Sequence, residues 1–276
     1  VDCANGAASK VAPSCLERLG AEVQAIACEP DGTNINDGCG STHPELLARE
    51  VLAKGADVGL ALDGDADRLV AVDHEGSIAT GDELLALFAA DLSAQGSLRG
   101  AVVVTVMSNL GFRRAMAERG IEVFETPVGD RHVLGALEDR DLVLGGEQSG
   151  HIVFRHLATT GDGLLTAILL LDLVKRSGRK LAELVAGSMK RLPQVLANVA
   201  VPDPRTAVEA EEVRAVVASV EAWLGDGGRV LLRVSGTEPL VRVMAEATEE
   251  SSAREALERL CQAVEKAGTA PAAATP

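Results

Sequence analysis

The sequence predicts an α/β protein, with two tandem α/β modules followed by a smaller α+β module. Three observations carry this. Strand-like and helix-like apolar patterns alternate over the first 190 or so residues. Prolines in LPQ at 192–194 and PDP at 202–204 then interrupt the pattern, because proline removes a backbone donor and restricts the chain. Finally, 276 residues with 47% hydrophobic content exceed the usual single-domain size and suffice for more than one core.

The expected modules are residues 1–93, 97–192 and 195–267, with an Ala/Pro/Thr-rich tail at 268–276 expected to be disordered. In the first, a strand end leads into a helix from Ala8 to Leu19 that Gly20 stops, then a strand at Val23–Ala27 and a helix from Pro44 to Ala53. Strands at Val58–Leu62 and Leu69–Val72 follow. The second module opens near Leu98 with VVVTVM, then a helix to Arg119, strand IEVFE, a helix from Asp130 to Leu137, LVLGG, and apolar helices through Lys190. In the third, strand Val195–Val201, helix Val208–Trp223, strands Val230–Val234 and Leu240–Ala247 and helix Ala253–Ala267 suit an antiparallel sheet with helices on one face.

Composition narrows the partners. A formal charge of −15 and a pI near 4.8 argue against nucleic acid or an anionic membrane. No Tyr, one Trp and four Phe leave little for bases to stack on. The five cysteines, Cys3, Cys15, Cys28, Cys39 and Cys261, form no CxxC pair and suggest neither a zinc site nor a disulfide framework, so a reducing cytoplasm is expected. The apolar run around Leu164–Val174 is broken by Asp172 and suits a buried helix rather than a membrane span, and no signal peptide is evident. The chain opens on VDCANGAASKVAP without an initiator Met, in what reads as a strand end, and is expected to be a fragment.

The most informative motif is DGDADR at 63–68. Asp63, Asp65 and Asp67 crowd behind the apolar VGLAL, and three carboxylates so placed repel one another unless a cation joins them. Oxygen ligands without His or Cys suit Mg²⁺. A helix-loop-helix Ca²⁺ site fits less well, because the twelfth position is His74 instead of Glu. Arg68 adds a fixed cation suited to a phosphate. A solvated acidic turn explains the same residues with no ligand at all.

Two further loops carry chemistry. In GGEQSGH at 145–151, Glu147 and Ser149 alternate, and a carboxylate beside a hydroxyl suits the gripping of vicinal sugar hydroxyls. In RVSGTEPLVR at 233–242, Ser235, Gly236 and Thr237 offer backbone N–H groups and hydroxyls, while Arg233 and Arg242 offer forked donors matched to phosphate oxygens. Either loop alone also reads as an ordinary hairpin tip. One such loop per module suggests convergence on an interdomain cleft.

In this order, DGDADR, GEQSGH and RVSGTEP resemble the α-D-phosphohexomutase superfamily over nearly the whole chain short of the tail. PDGTNIN at 30–36, VGDRHV at 128–133 and TTGDG at 159–163 resemble its phosphoglucosamine mutase branch. The resemblance implies mixed-sheet phosphohexomutase-type domains two and three, then the C-terminal domain. It implies one Mg²⁺ on Asp63, Asp65 and Asp67, a sugar loop of Glu147 and Ser149, and a phosphate loop of Arg233, Ser235, Gly236, Thr237 and Arg242. Arg68 and His151 would assist substrate contact or proton transfer, and Arg131 is a further contact. Val234 and His132 depart from residues frequent in relatives. The implied reaction interconverts glucosamine 6-phosphate and glucosamine 1-phosphate through a phosphoserine and bound glucosamine 1,6-bisphosphate, for peptidoglycan precursors. The phosphoserine segment, of ASHNP type, does not occur here, so a serine-bearing N-terminal domain is expected to be missing and the chain inactive alone. A phosphomannomutase or phosphoglucomutase, or a noncatalytic sugar-phosphate-binding remnant, are the competing readings.

Overall fold

In a computed structural model of the chain, residues 1–269 are described. The chain divides into two compact units, Val1–Lys190 and the remainder from Arg191.

In the first unit, α1 (Val11–Arg18) and α2 (Glu45–Lys54) precede a hairpin of β1 (Val58–Leu62) and β2 (Leu69–Asp73), with β3 (Ile78–Ala79) on the far side of β2. β1 and β2 are antiparallel, Leu62 facing Leu69, so DGDADR is the loop that joins them. Asp2 bridges Ala61 on one side and Ile26 on the other, both in parallel, which makes the sheet mixed. The strand expected at Val23–Ala27 is reduced to that single bridge at Ile26. Ala27 takes a left-handed φ of 48°, outside the extended range of a strand, although its O still accepts from Asn5 N at 2.7 Å.

A second sheet follows. Helix α3 (Gly81–Ala94) leads to β4 (Ala101–Thr105), α4 (Leu110–Glu118), β5 (Glu122–Thr126), α5 (Asp130–Asp139), β6 (Leu144–Gly146) and β7 (Ile152–Phe154). The strand order is β5-β4-β6-β7, parallel except for the last, antiparallel pair. Helices α6 (Gly163–Ser177) and α7 (Leu181–Ser188) close the unit. Sequence patterning missed α3, because its first nine residues are all buried and leave no polar stripe to mark the period. Its start signal was present: Glu83 Oε2 accepts from Thr80 N at 2.7 Å, in a T-x-x-E box. α3 packs on α4, α6, α7 and β6 as well as on β2 and β3. Leu62, Leu69, Leu84, Val104, Phe112 and Leu144 accordingly lie in one continuous core under both sheets.

The second unit is an antiparallel sheet of β8 (Gln194–Ala200), β9 (Gly228–Val234) and β10 (Leu240–Ala247), in the order β8-β10-β9. Helices α8 (Pro204–Glu209), α9 (Glu211–Leu224) and α10 (Glu250–Thr269) bury Val213, Val220, Ala256 and Leu260 with Val241 and Val243 in a separate core. The single helix expected at Val208–Trp223 is two: Asp203 caps α8 ahead of Pro204, and Ala210 leaves helical geometry at ψ 138°. α10 runs two residues past its expected end, and the rest of the expected tail, 270–276, lies outside the described residues. Among the described residues no helix is long and apolar enough to cross a membrane.

Candidate functional site

β1 buries its last four residues and leads into Asp63, itself buried at 6% exposure. Asp65 is exposed and Asp67 half-buried, and one carboxylate oxygen from each of the three lies within 4.8 Å of the others. The hairpin closes so tightly because Ala66 adopts φ 63° and donates its N–H to Asp63 O at 3.1 Å. Burial pushes the Asp63 carboxyl up to about 6, with the charges of Asp67 and Asp65 adding to it against the Arg68 N–H. Arg68 N donates to Asp63 Oδ1 at 3.1 Å, while its Nε stands 3.6 Å from Asp63 Oδ2 and 3.5 Å from Asp67 Oδ1. Asp67 Oδ1 is enclosed without a hydrogen-bond partner. An enclosed carboxylate oxygen beside two more carboxylates fits a hard divalent cation better than it fits a solvated turn.

The Glu147–Ser149 loop is the β6–β7 connection, held by Glu147 N to His151 O at 2.9 Å and Gly150 N to Glu147 O at 3.0 Å. Glu147 is half-buried and its Oε1 accepts from Gly129 N at 3.0 Å, which ties the VGDRHV segment to it; Ser149 is exposed. Two residues on, exposed Arg131 and half-buried His132 line a groove of about 540 Å³ beside α5, with Phe124, Thr126 and Arg140.

The two loops are stitched together. Arg68 and His151 form an antiparallel backbone bridge, and Leu69 N donates to Gly150 O at 3.0 Å. His151 is 2% exposed, with Nε2 3.6 Å from Asp67 Oδ2. The seam admits only glycine. A Cβ at Gly150 would fall 2.2 Å from Leu69 O, one at Gly163 2.2 Å from Arg68 O, and one at Gly161 2.3 Å from His151 Nε2. Gly161 and Gly163 belong to TTGDG, which in the sequence served only as a family marker; its two alternate glycines were the legible sign of close approach.

The third loop belongs to the other compact unit. Arg233 and Arg242 are direct cross-strand partners on β9 and β10, and Ser235 N closes the turn on Leu240 O at 3.0 Å. Gly236 and Thr237 form its exposed tip, and Glu238 stands 3.9 Å from Arg242. Like charges placed directly opposite on a strand pair destabilise it unless an anion or a carboxylate lies between them.

Three consecutive segments match family models: residues 1–76 match phosphoglucomutase/phosphomannomutase alpha/beta/alpha domain II, 80–192 match alpha/beta/alpha domain III and 196–263 match the C-terminal domain. The chain belongs to the phosphoglucomutase/phosphomannomutase family. Among curated relatives, the phosphoglucosamine mutase of Frankia alni is 55% identical over 98% of this chain and 60% of its own length. That of Thermobifida fusca is 54% identical over 96% and 59%. The chain thus spans about 60% of the relatives it matches. Among solved structures, the Aspergillus fumigatus N-acetylphosphoglucosamine mutase in complex with GlcNAc-6P and magnesium has a TM-score of 0.79 at 23% identity, covering 97% of this chain and 61% of that one. A phosphoglucomutase/phosphomannomutase family protein of Burkholderia thailandensis has a TM-score of 0.80 at 24% identity, over 98% and 60%. At that identity the likeness shows the phosphohexomutase fold.

Proposed function

We propose that the chain is the greater part of a phosphoglucosamine mutase of cytoplasmic amino-sugar metabolism, built as domains two, three and four over the segments 1–76, 80–192 and 196–263 that match those family models. The observation that carries the reading is the seam at Arg68–His151, which joins an acidic cation loop to a carboxylate-and-hydroxyl loop in one site. The 55% identity to curated phosphoglucosamine mutases supports the choice of sugar.

In this reading Asp63, Asp65 and Asp67 hold one Mg²⁺, which when bound neutralises charge on a phosphoryl group. Glu147 and Ser149 accept and donate to hydroxyls of the hexosamine, and the Gly129 N–H keeps the Glu147 carboxylate aimed. Arg131 contacts the same ligand from the neighbouring groove. In the second unit, Arg233, Ser235, Gly236, Thr237 and Arg242 grip a phosphate group. Both ends of glucosamine 1,6-bisphosphate must fit that grip in turn. Arg68 steadies the transferred phosphate, and His151, buried against Asp67, exchanges the proton of the reacting hydroxyl. The nucleophile is a phosphoserine supplied from outside these 276 residues, in which no SHN segment occurs.

Glu147 tests the sugar assignment. Titration of the chain with glucosamine 6-phosphate, glucose 6-phosphate and mannose 6-phosphate in MgCl₂ is expected to rank glucosamine 6-phosphate first. Glu147→Gln is expected to lose about tenfold of that affinity, the scale of one charge-assisted hydrogen bond. Equal binding of all three sugars, or an unchanged variant, would refute the assignment.

A further inference from the structure

Gly64, the residue between two of the proposed ligands, is clamped from both sides. On one side Gly6 lies against it so closely that a Cβ on Gly6 would fall 2.2 Å from Gly64 O, and Ala7 N donates to that oxygen at 2.8 Å. On the other side, a Cβ on Gly64 would fall 2.6 Å from Ile35 Cδ1 and 2.9 Å from Asn36 Nδ2. Ile35 and Asn36 lie in the PDGTNIN segment, which the proposed function leaves without a role.

That segment is anchored at both ends. At the first end Glu29 N donates to Asn5 Oδ1 at 3.1 Å, and the turn that follows is closed by Asp31 Oδ1, which accepts from Thr33 N at 2.8 Å and Asn34 N at 3.0 Å, and by Asn34 Nδ2, which donates to Glu29 O at 2.9 Å. Beyond the crossing, Gly40 N donates to Asp2 Oδ2 at 2.8 Å and Ser41 N to Leu62 O at 2.8 Å, one residue before Asp63. Between these anchors Asn36 takes φ 57°, a left-handed backbone that Asn tolerates, and donates its N–H to Ala4 O at 2.9 Å. Its Oδ1 is enclosed with no hydrogen-bond partner. Ile35 rests on Gly64 although it is 52% exposed, so contact with the loop, not burial, accounts for its place.

We infer that Asn36 is a positioning residue for the cation loop, and that the 29–41 segment is coupled to cation binding through Gly64. This rests on the proposed Mg²⁺ reading of Asp63, Asp65 and Asp67. Any movement of Gly64 displaces Asp63 and Asp65 together, because the backbone joins them. Mg²⁺ demands near-ideal octahedral placement of its oxygens, so small displacements weaken it. Outer residues that orient metal ligands typically govern about 10–100-fold in affinity. Coupling is reciprocal: if the clasp sets cation affinity, the cation must steady the clasp.

Asn36→Gly deletes the amide and keeps the left-handed backbone accessible. In calorimetric titration of the 276-residue chain with MgCl₂, the variant is expected to bind about tenfold more weakly. Its metal-free Tm should stay within about 3 °C of the parent, which corresponds to roughly 1 kcal/mol or less. In the parent, saturating MgCl₂ should slow hydrogen exchange across 33–37 several-fold; in the variant it should not. Mg²⁺ affinity within twofold of the parent, or exchange at 33–37 indifferent to Mg²⁺, would overturn the inference. A parent chain that binds no Mg²⁺ would remove the metal reading as well, which separates the two failures.

Discussion

Replacing Asp63 by Asn is expected to make the metal-free chain more stable at pH 8 while abolishing its stabilisation by magnesium. Burial, then the charges of Asp67 and Asp65, raise the Asp63 carboxyl from 3.8 to about 6 in the fold. A raised carboxyl means that folding favours the protonated form. The ionised form therefore costs stability, and the cost grows as pH rises from about 4 through about 6 and is constant above. A shift of that size corresponds to on the order of 2–3 kcal/mol, which the neutral amide escapes. Asn retains an oxygen to accept the Arg68 N–H that now goes to Asp63 Oδ1. Metal-free urea denaturation across pH 4–8 should show a falling stability in the parent and a flatter profile in the variant. MgCl₂ should raise the Tm of the parent, by mass action on the folded state, and leave the variant nearly unmoved. A variant less stable than the parent in the absence of metal would contradict this electrostatic description of the loop.

Gly150→Ala is expected to be the most damaging small substitution in the first unit. The position carries φ 94° and its Cβ would fall 2.2 Å from a backbone oxygen, Leu69 O, which has no side-chain freedom with which to retreat. The left-handed strain costs about 1–3 kcal/mol. Loss of the Leu69 N to Gly150 O bond adds about 1 kcal/mol more. A total of roughly 2–4 kcal/mol, read by urea denaturation, would be accompanied by weaker Mg²⁺ binding, because the displaced backbone carries Arg68. Gly96→Ala supplies the control. It shares a positive φ of 70° but has open space around the Cβ, so it is expected to cost only about 1 kcal/mol. Equal costs at the two positions would show that the seam is not closely packed.

What could be read from the sequence followed from short-range chemistry. Strand Val58–Leu62, the hairpin to Leu69 and the antiparallel third sheet were legible because apolar alternation and turn residues are local signals. The α3 helix was not, since a helix buried along its whole first half has no polar face to mark its period. The expected strand at Val23–Ala27 met a left-handed Ala27 that no propensity announces. The three aspartates declared themselves by charge. One loop per module already suggested that DGDADR and GEQSGH meet; the contact itself was not legible, because Arg68 and His151 lie 83 positions apart (151 − 68) and their bridge is a backbone contact. Only the glycines that permit it, Gly150, Gly161 and Gly163, left a mark in the sequence, and a glycine does not say what it lies against.

The most direct test is phosphorus NMR of the 276-residue chain with MgCl₂, glucosamine 6-phosphate and a trace of glucosamine 1,6-bisphosphate. Both sugar phosphates are expected to bind, with a part of the resonance shift that requires Mg²⁺ and intact Asp63, Asp65 and Asp67. No glucosamine 1-phosphate should accumulate, since the proposed function places the phosphoserine outside these residues. Steady conversion to glucosamine 1-phosphate, or spectra indifferent to Mg²⁺ and to the aspartates, would contradict the assignment of this chain as the metal- and sugar-binding part of a phosphoglucosamine mutase.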